Sequence, residues 1–198
     1  MDWWEYENAA AAEGWHILCG VDEAGRGCLA GPVYAAAVIL PTGLMIEGLN
    51  DSKKLTAGQR EKLFAVIIEK AVSYAVASAS EREIDEINIL NATYLAMNRA
   101  IQKLNPAPEI ALIDGNRAKG IQYLNRCIVG GDGKSALIAA ASILAKVSRD
   151  RYMQDLSEQY PQYSFQIHKG YGTAKHYEMI RKYGPSTVHR HTFLKKMH

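Results

Sequence analysis

The chain has 198 residues, 48% of them hydrophobic and 22% charged, with a formal net charge of +2. That balance is an ordinary globular one, long enough for one full core with a small appendage, and it shows neither internal repeats nor low-complexity tracts. No apolar run approaches the roughly 20 residues of a membrane-crossing helix, and the opening Met1-Asp2-Trp3-Trp4-Glu5 is acidic where a secretory leader is basic, so a soluble cytoplasmic protein is expected.

Charge is unevenly spread. From Gln166 to His198 there are seven Lys/Arg against one acid, plus five histidines, whereas residues 1–165 carry sixteen against twenty. A basic end on a mildly acidic body suits a polyanion or simply solubilises the chain. Cys19, Cys28 and Cys127 are an odd number without close spacing. Buried free thiols in a reducing compartment are expected, and a zinc site is not.

In chain order, residues 1–14 read as a loosely attached lead-in whose Trp3 and Trp4 are able to dock on the body. His16 to Asp22 reads as the first strand and Val33 to Leu40 as a second, although the alanines of the latter also permit a helix. As strands they form a hairpin around the glycine-rich turn. Thr56-x-x-Gln59 is a capping-box pattern that opens a helix to about Lys70, with Leu63 and Ile67 on its inner face. Val72 to Ala79 suits a third strand. Ser80-x-x-Glu83 opens a helical stretch carrying Leu95, Met97, Ile101 and Leu104 before Pro106. Ile110 to Ile113 is a short buried strand ending on Asp114, and Ile121 to Val129 is the last strand, closing on Gly130-Gly131-Asp132-Gly133. Ser135 to about Tyr160 is the longest helix, and Thr173 to Tyr183 the last, with Gly184 as its stop. Strands alternating with helices after an initial hairpin predict an α/β fold with a mixed sheet.

The chemistry concentrates around Gly20-Val21-Asp22-Glu23-Ala24-Gly25-Arg26-Gly27. Side chains alternate along a regular strand, so for Asp22 and Glu23 to act together an irregularity is expected near the glycines; Glu23 has its carboxylate or its backbone carbonyl to offer a hard cation. Gly25 to Gly31 also resembles a dinucleotide-binding fingerprint, but Pro32 and a β-like run follow where that motif needs a helix. Asp22, Glu23, Asp114 and Asp132 all stand at the ends of apolar runs, where an α/β sheet presents side chains to one crevice. Single acids there are usually caps. Four that converge repel one another and call for cations, and oxygen-only ligands select Mg2+ or Mn2+. Two such ions suit in-line displacement at phosphorus.

Around these acids stand weaker candidates. Lys53 and Lys54 are either a solvated pair or phosphate ligands. Ser142 and Lys146 share a helical face and serve either a phosphate or core packing with a snorkelling lysine. Tyr171, in His168-Lys169-Gly170-Tyr171-Gly172-Thr173, suits stacking on a sugar or base, or packing over a turn. His189-Arg190-x-Thr192-Phe193 is compatible with docking the tail on the body or gripping a nucleic-acid backbone.

Five motifs in order resemble ribonuclease HII, the type 2 ribonuclease H: Val-Asp-Glu-Ala-Gly-Arg-Gly at 21–27, Asp-Ser-Lys-Lys-Leu at 51–55, Ile-Asp-Gly-Asn at 113–116, Gly-Asp followed by Ala-Ala-Ala-Ser-Ile-Leu-Ala-Lys-Val at 131–147, and His-Lys-Gly-Tyr-Gly-Thr at 168–173. The resemblance spans about Ile17 to Phe193. It implies a ribonuclease H-like mixed five-stranded sheet flanked by helices, occupying residues 15–198, with a small C-terminal helical extension over about 161–198. It implies an endonuclease acting on the RNA strand of RNA–DNA hybrids and on the 5′ side of single ribonucleotides in duplex DNA, leaving a 3′-hydroxyl and a 5′-phosphate. Asp22, Glu23, Asp114 and Asp132 match the family's ligands for Mg2+ or Mn2+. Gly25, Arg26 and Gly27 match its reader of the 2′-hydroxyl, which is the only group that separates RNA from DNA locally. Tyr171 matches the tyrosine that packs on the sugar at the RNA-to-DNA junction, and Lys53, Ser142 and Lys146 match its phosphate contacts. A monomer without membrane contact is expected. The competing readings are another metal-dependent nuclease of this fold and a nucleic-acid-binding module without catalysis.

Overall fold

A computed structural model describes residues 2–195; the part of the basic tail and extension at 196–198 lies outside the described residues. Strands β1 (Leu18–Ala24) and β2 (Val33–Ile39) form the expected antiparallel hairpin, and β3 (Ser73–Ala79) pairs antiparallel with β2. On the other side of β1, β4 (Ile110–Asp114) and β5 (Asn125–Ile128) run parallel to it. The order is β3-β2-β1-β4-β5, a mixed five-stranded sheet. The parallel register sets Val21 beside Ile113, so Asp22 and Asp114 follow as the next residue on each strand.

Period-two alternation divides the core into two layers. Leu18, Ala24, Ala36, Val38 and Leu112 pack with α4 (Ala136–Gln159), while Cys19, Val21, Ala35, Ala37 and Ile113 pack with residues of α3 (Glu81–Gln102). The alanine run that opens α4 is buried all round, as a helix pressed against a sheet and covered from outside must be. The contact is backbone to backbone: a Cβ on Gly20 would lie 2.1 Å from the carbonyl carbon of Leu137.

Helix α2 (Ala57–Lys70) and α3 begin on the capping boxes read from the sequence, Thr56 with Gln59 and Ser80 with Glu83. Within α3, Asn88 takes a φ of 66°, and its Oδ1 accepts from the N–H groups of Leu90 and Asn91, so the helix stops and restarts there. Strand β5 is shorter than expected because Gln122 gives its N–H to Asn98 Oδ1 on α3 instead of to a neighbouring strand.

Two expectations need correction. Residues 2–14 are not loosely attached: α1 (Glu5–Ala12) closes the start of α4. Glu7 is buried, and its Oε1 accepts from Ser135 Oγ at 2.6 Å and from Leu137 N at 3.2 Å, while Ala136 N donates to the Trp3 carbonyl. A carboxylate at a helix N-terminus satisfies orphan N–H groups and the dipole together, and Trp4 completes the docking from inside the core. The second correction concerns β1. It pairs without a bulge through Ala24, so Asp22 and Glu23 stand on opposite faces, and the irregularity begins only at Gly25.

The C-terminal extension carries short helices α5 (Phe165–His168), α6 (Ala174–Tyr183) and α7 (His191–Leu194), packed against the end of α4. Met153, Tyr163, Phe165, Met179, Ile180 and Leu194 form a third core cluster that reaches back to Leu29 and Ala30, just beyond the glycine-rich turn.

Candidate active site

At the end of β1, Asp22 is 4% exposed. Oxygen atoms of Asp22, Asp114 and Asp132 lie within 4.8 Å of one another, the group of possible metal ligands found among the described residues. β1 and β4 bring Asp22 and Asp114 together by register, and the turn before α4 supplies Asp132. Asp22 Oδ1 accepts from Glu23 N at 2.7 Å, and Asp114 Oδ1 accepts from Gly131 N at 2.7 Å. Lys53 Nζ donates to Asp132 Oδ2 at 2.9 Å. These donors do not offset the crowding. Burial, reinforced by the charges of Glu23 and Asp114, holds the Asp22 carboxyl well above the usual carboxylate range, and burial also raises Asp114 against the Gly131 N–H. Glu23 stands outside the three-acid group; burial raises it too, against the pull of Arg26, whose Nη1 lies 3.4 Å from its Oε1.

The fit to divalent cations follows from this donor set. Only oxygen ligands converge, and the like charges of the crowded carboxyls call for a hard cation.

The turn at 25–31 is shaped by two arginines that sequence reasoning did not single out for this task. Arg190 is fully buried. It donates to the carbonyls of Gly25 (2.7 Å), Arg26 (2.8 Å) and Gly31 (2.7 and 2.9 Å). Arg149, also fully buried, donates to the carbonyls of Ala30, Pro32 and Lys169. In a trans peptide the C=O and N–H point in opposite directions. With the Gly25 and Arg26 carbonyls drawn inward, the N–H groups of Arg26 and Gly27 are turned outward, and neither is paired among the described residues. Gly25 permits this with a φ of 95°, and a Cβ there would lie 2.0 Å from Arg149 Nε. Of the two readings open for His189-Arg190, Arg190 docks the tail.

Tyr171 faces the same turn through an isolated antiparallel bridge to Cys28. The residue is 40% exposed, with Lys146 Nζ 5.7 Å and Arg149 Cζ 5.8 Å from the ring centroid. One cleft of about 220 Å³ is lined by Asp22, Glu23, Asp114, Gly25, Arg26, Gly27, Lys53, Ser142, Lys146 and Tyr171; Asp132 joins through the acid group and Lys53. All the sequence-predicted site residues therefore meet.

A family model for Ribonuclease HII matches residues 19–196. The chain belongs to the ribonuclease HII family. It is 53% identical over 196 residues to Ribonuclease HII of Caldicellulosiruptor bescii, covering 99% of this chain and 95% of that one. The ribonuclease H2 structure from Pyrococcus horikoshii OT3 matches with a TM-score of 0.74 at 30% identity, over 89% of this chain and 93% of that one. The Mn2+ complex of Bst-RNase HIII matches with a TM-score of 0.72 at 23% identity, over 93% of this chain and 67% of that one, a likeness of fold. As a ribonuclease HII family member the chain is a hydrolytic nuclease, and the family's reaction is cleavage of the RNA strand of RNA–DNA hybrids.

In this family member the remaining candidates are already engaged. Ser142 is buried, with its Oγ 2.7 Å from Ser52 Oγ, tying the 51–55 loop to α4 beneath Asp22. Lys146 pairs with Asp150 at 2.8 Å. The Lys53 side chain is 75% exposed, and its bond to Asp132 raises its pKa. Asp132, by contrast, is buried, so only the lysine end of the pair is solvated.

Proposed function

We propose that this chain cuts on the 5′ side of ribonucleotides, both in RNA tracts paired with DNA and at a single ribonucleotide embedded in duplex DNA, leaving a 3′-hydroxyl and a 5′-phosphate. Asp22, Asp114 and Asp132, with Glu23 at their rim, would hold two divalent cations, Mg2+ or Mn2+; their crowding and oxygen-only chemistry support this. When bound, the cations supply positive charge at the scissile phosphate and acidify water.

The chain's own residues do the selecting and positioning. The outward N–H groups of Arg26 and Gly27 meet the ribose 2′-hydroxyl, and a deoxyribose leaves them unpaired, which costs about 1–3 kcal/mol for each donor that is then shut from water. The Tyr171 ring receives the sugar of the adjoining nucleotide. Lys53 moves from Asp132 to a phosphate oxygen, and Lys146 adds positive charge beside the Tyr171 ring. Ser142 holds Asp22 in place from below.

The bridge between Cys28 and Tyr171 carries this reading. Through it the turn at 25–27 and the Tyr171 ring are joined by backbone pairing beside the acids, which supports their acting on adjoining nucleotides. The test is cleavage of a duplex with one ribonucleotide beside an all-DNA control, with Mg2+, Mn2+ or chelator. One metal-dependent cut 5′ of the ribonucleotide is expected. Cutting confined to long RNA tracts would overturn the junction role of Tyr171, and tight hybrid binding without cleavage in either metal would make the chain a binding protein.

A further inference from the structure

A second groove leaves the acids in another direction. Its inner part, about 270 Å³, begins at Glu23, Arg26 and Asp114, the three residues it shares with the cleft that holds Tyr171. It runs between α3 and the loop after β4. Its outer part, about 620 Å³, continues along Leu90, Tyr94 and Arg117, which line both parts, and ends at Lys119. That size falls within the range of pockets that take nucleotide-sized groups.

The walls are fixed before any ligand arrives. Tyr94 Oη donates to the Arg117 carbonyl at 3.3 Å, Asn98 Nδ2 donates to the Gly120 carbonyl at 2.8 Å, and Gln122 N donates to Asn98 Oδ1 at 2.9 Å. The loop is thereby fastened along one side of α3. The restart of α3 after Asn88 brings the opening turn of a new helical segment, Leu90 and Asn91, to the outer end of the groove, and such a turn favours negative charge.

The charges along the groove are ordered. Its carboxylates, Glu23 and Asp114, lie at the catalytic end. Asn116, Arg117 and Lys119 are exposed, and neither Arg117 nor Lys119 makes a side-chain hydrogen bond or ion pair among the described residues. A polymer lying across the acids must continue on both sides of them, and a polyanion gains affinity wherever unpaired cations line its path.

We propose that this groove is a second nucleic-acid subsite, which takes the sugar–phosphate backbone of the cleaved strand on the side of the acids away from Tyr171, with Arg117 and Lys119 on its phosphates. This rests on the reading of the acids as the cleavage centre for a nucleic-acid strand.

The test is hybrid binding followed by fluorescence anisotropy in chelator, so that it reads affinity whether or not cleavage occurs. Wild type, Arg117→Ala, Lys119→Ala, the double variant and Arg117→Lys are compared on a long duplex and on duplexes trimmed at either end. Each lost phosphate contact should flatten the slope of log affinity against log salt by about 0.7–0.9. For the double variant, the fall in affinity between 50 and 200 mM salt should then shrink by about tenfold. Arg117→Lys should keep the slope, all variants should melt with wild type, and trimming one end alone should erase the difference. An unchanged slope on the long duplex overturns the proposal. So does an equal loss on duplexes trimmed at either end, which would mark diffuse attraction. Failure of wild type to cut, with the slope changes intact, would instead count against the proposed function.

Discussion

Two buried clusters of titratable side chains sit on either side of the glycine-rich turn, and burial pushes Asp22 and Asp114 in one, and the histidines in the other, toward their neutral forms. One is the acid group. The other is His168, His176 and His189 in the C-terminal extension, where burial lowers His176 and His189 to about 4. They differ in whether their members repel one another. Ser186 N donates to His189 Nδ1 at 3.0 Å, which puts the proton of a neutral His189 on Nε2. That Nε2–H faces His176 Nε2 at 3.1 Å, leaving the His176 proton on Nδ1, 3.0 Å from the Tyr171 carbonyl. His168 accepts from Gly170 N and donates to the Tyr163 carbonyl, and its ring stacks on His176 with centroids 4.2 Å apart. Every ring nitrogen has a partner. The carboxyl oxygens of Asp22, Asp114 and Asp132 instead lie within 4.8 Å of one another, where like charges repel, with Lys53 hydrogen-bonded to Asp132. A displaced pKa therefore marks burial in both places, and only the cluster of like charges calls for positive charge from outside.

The sharpest way to break this contrast is Asp22→Asn. Cleavage should fall by about a thousandfold or more, as for a group whose work is done in the transition state. In chelator the same variant should melt higher, by roughly 2–4 °C for each kcal/mol of repulsion relieved in a chain of this size. Initial rates and thermal melts read both, and a lower melting temperature would contradict the strain assigned to the acids. His189→Ala should do the reverse, costing about 2–4 kcal/mol in urea unfolding because it strands buried partners, while the rise in melting temperature on adding Mn2+ survives.

Smaller but more discriminating is the pH dependence. Histidines whose folded pKa is lowered from 6.5 to about 4 give their full stabilisation above 6.5 and lose it as pH falls toward and through 4. Carboxyls whose folded pKa is raised behave oppositely, since protonation relieves them. The melting curves of wild type and Asp22→Asn in chelator should therefore converge as pH falls. Curves that stay parallel would show that Asp22 is not strained.

Much of this was legible in the sequence because it rests on local chemistry. Thr56 with Gln59 and Ser80 with Glu83 declare helix starts within four residues, and Asp114 and Asp132 follow apolar runs that have few other ways to end. What was not legible depends on distant partners. Glu7 matters because α4 offers it unpaired N–H groups some 130 residues away, and the weak alanine pattern around it gives no hint of that. The break at Asn88 is carried by one side chain bonding its own backbone inside a periodic helix.

Arg190 lies 165 residues from the Gly25 carbonyl it holds. Distance along a chain is also time in synthesis. At about 5–20 residues per second, the Gly25 carbonyl is made roughly 8–30 s before its guanidinium. The strands carrying Asp22 and Asp114 can pair during that interval, whereas the neighbouring turn acquires its final shape only once Arg190 has been made.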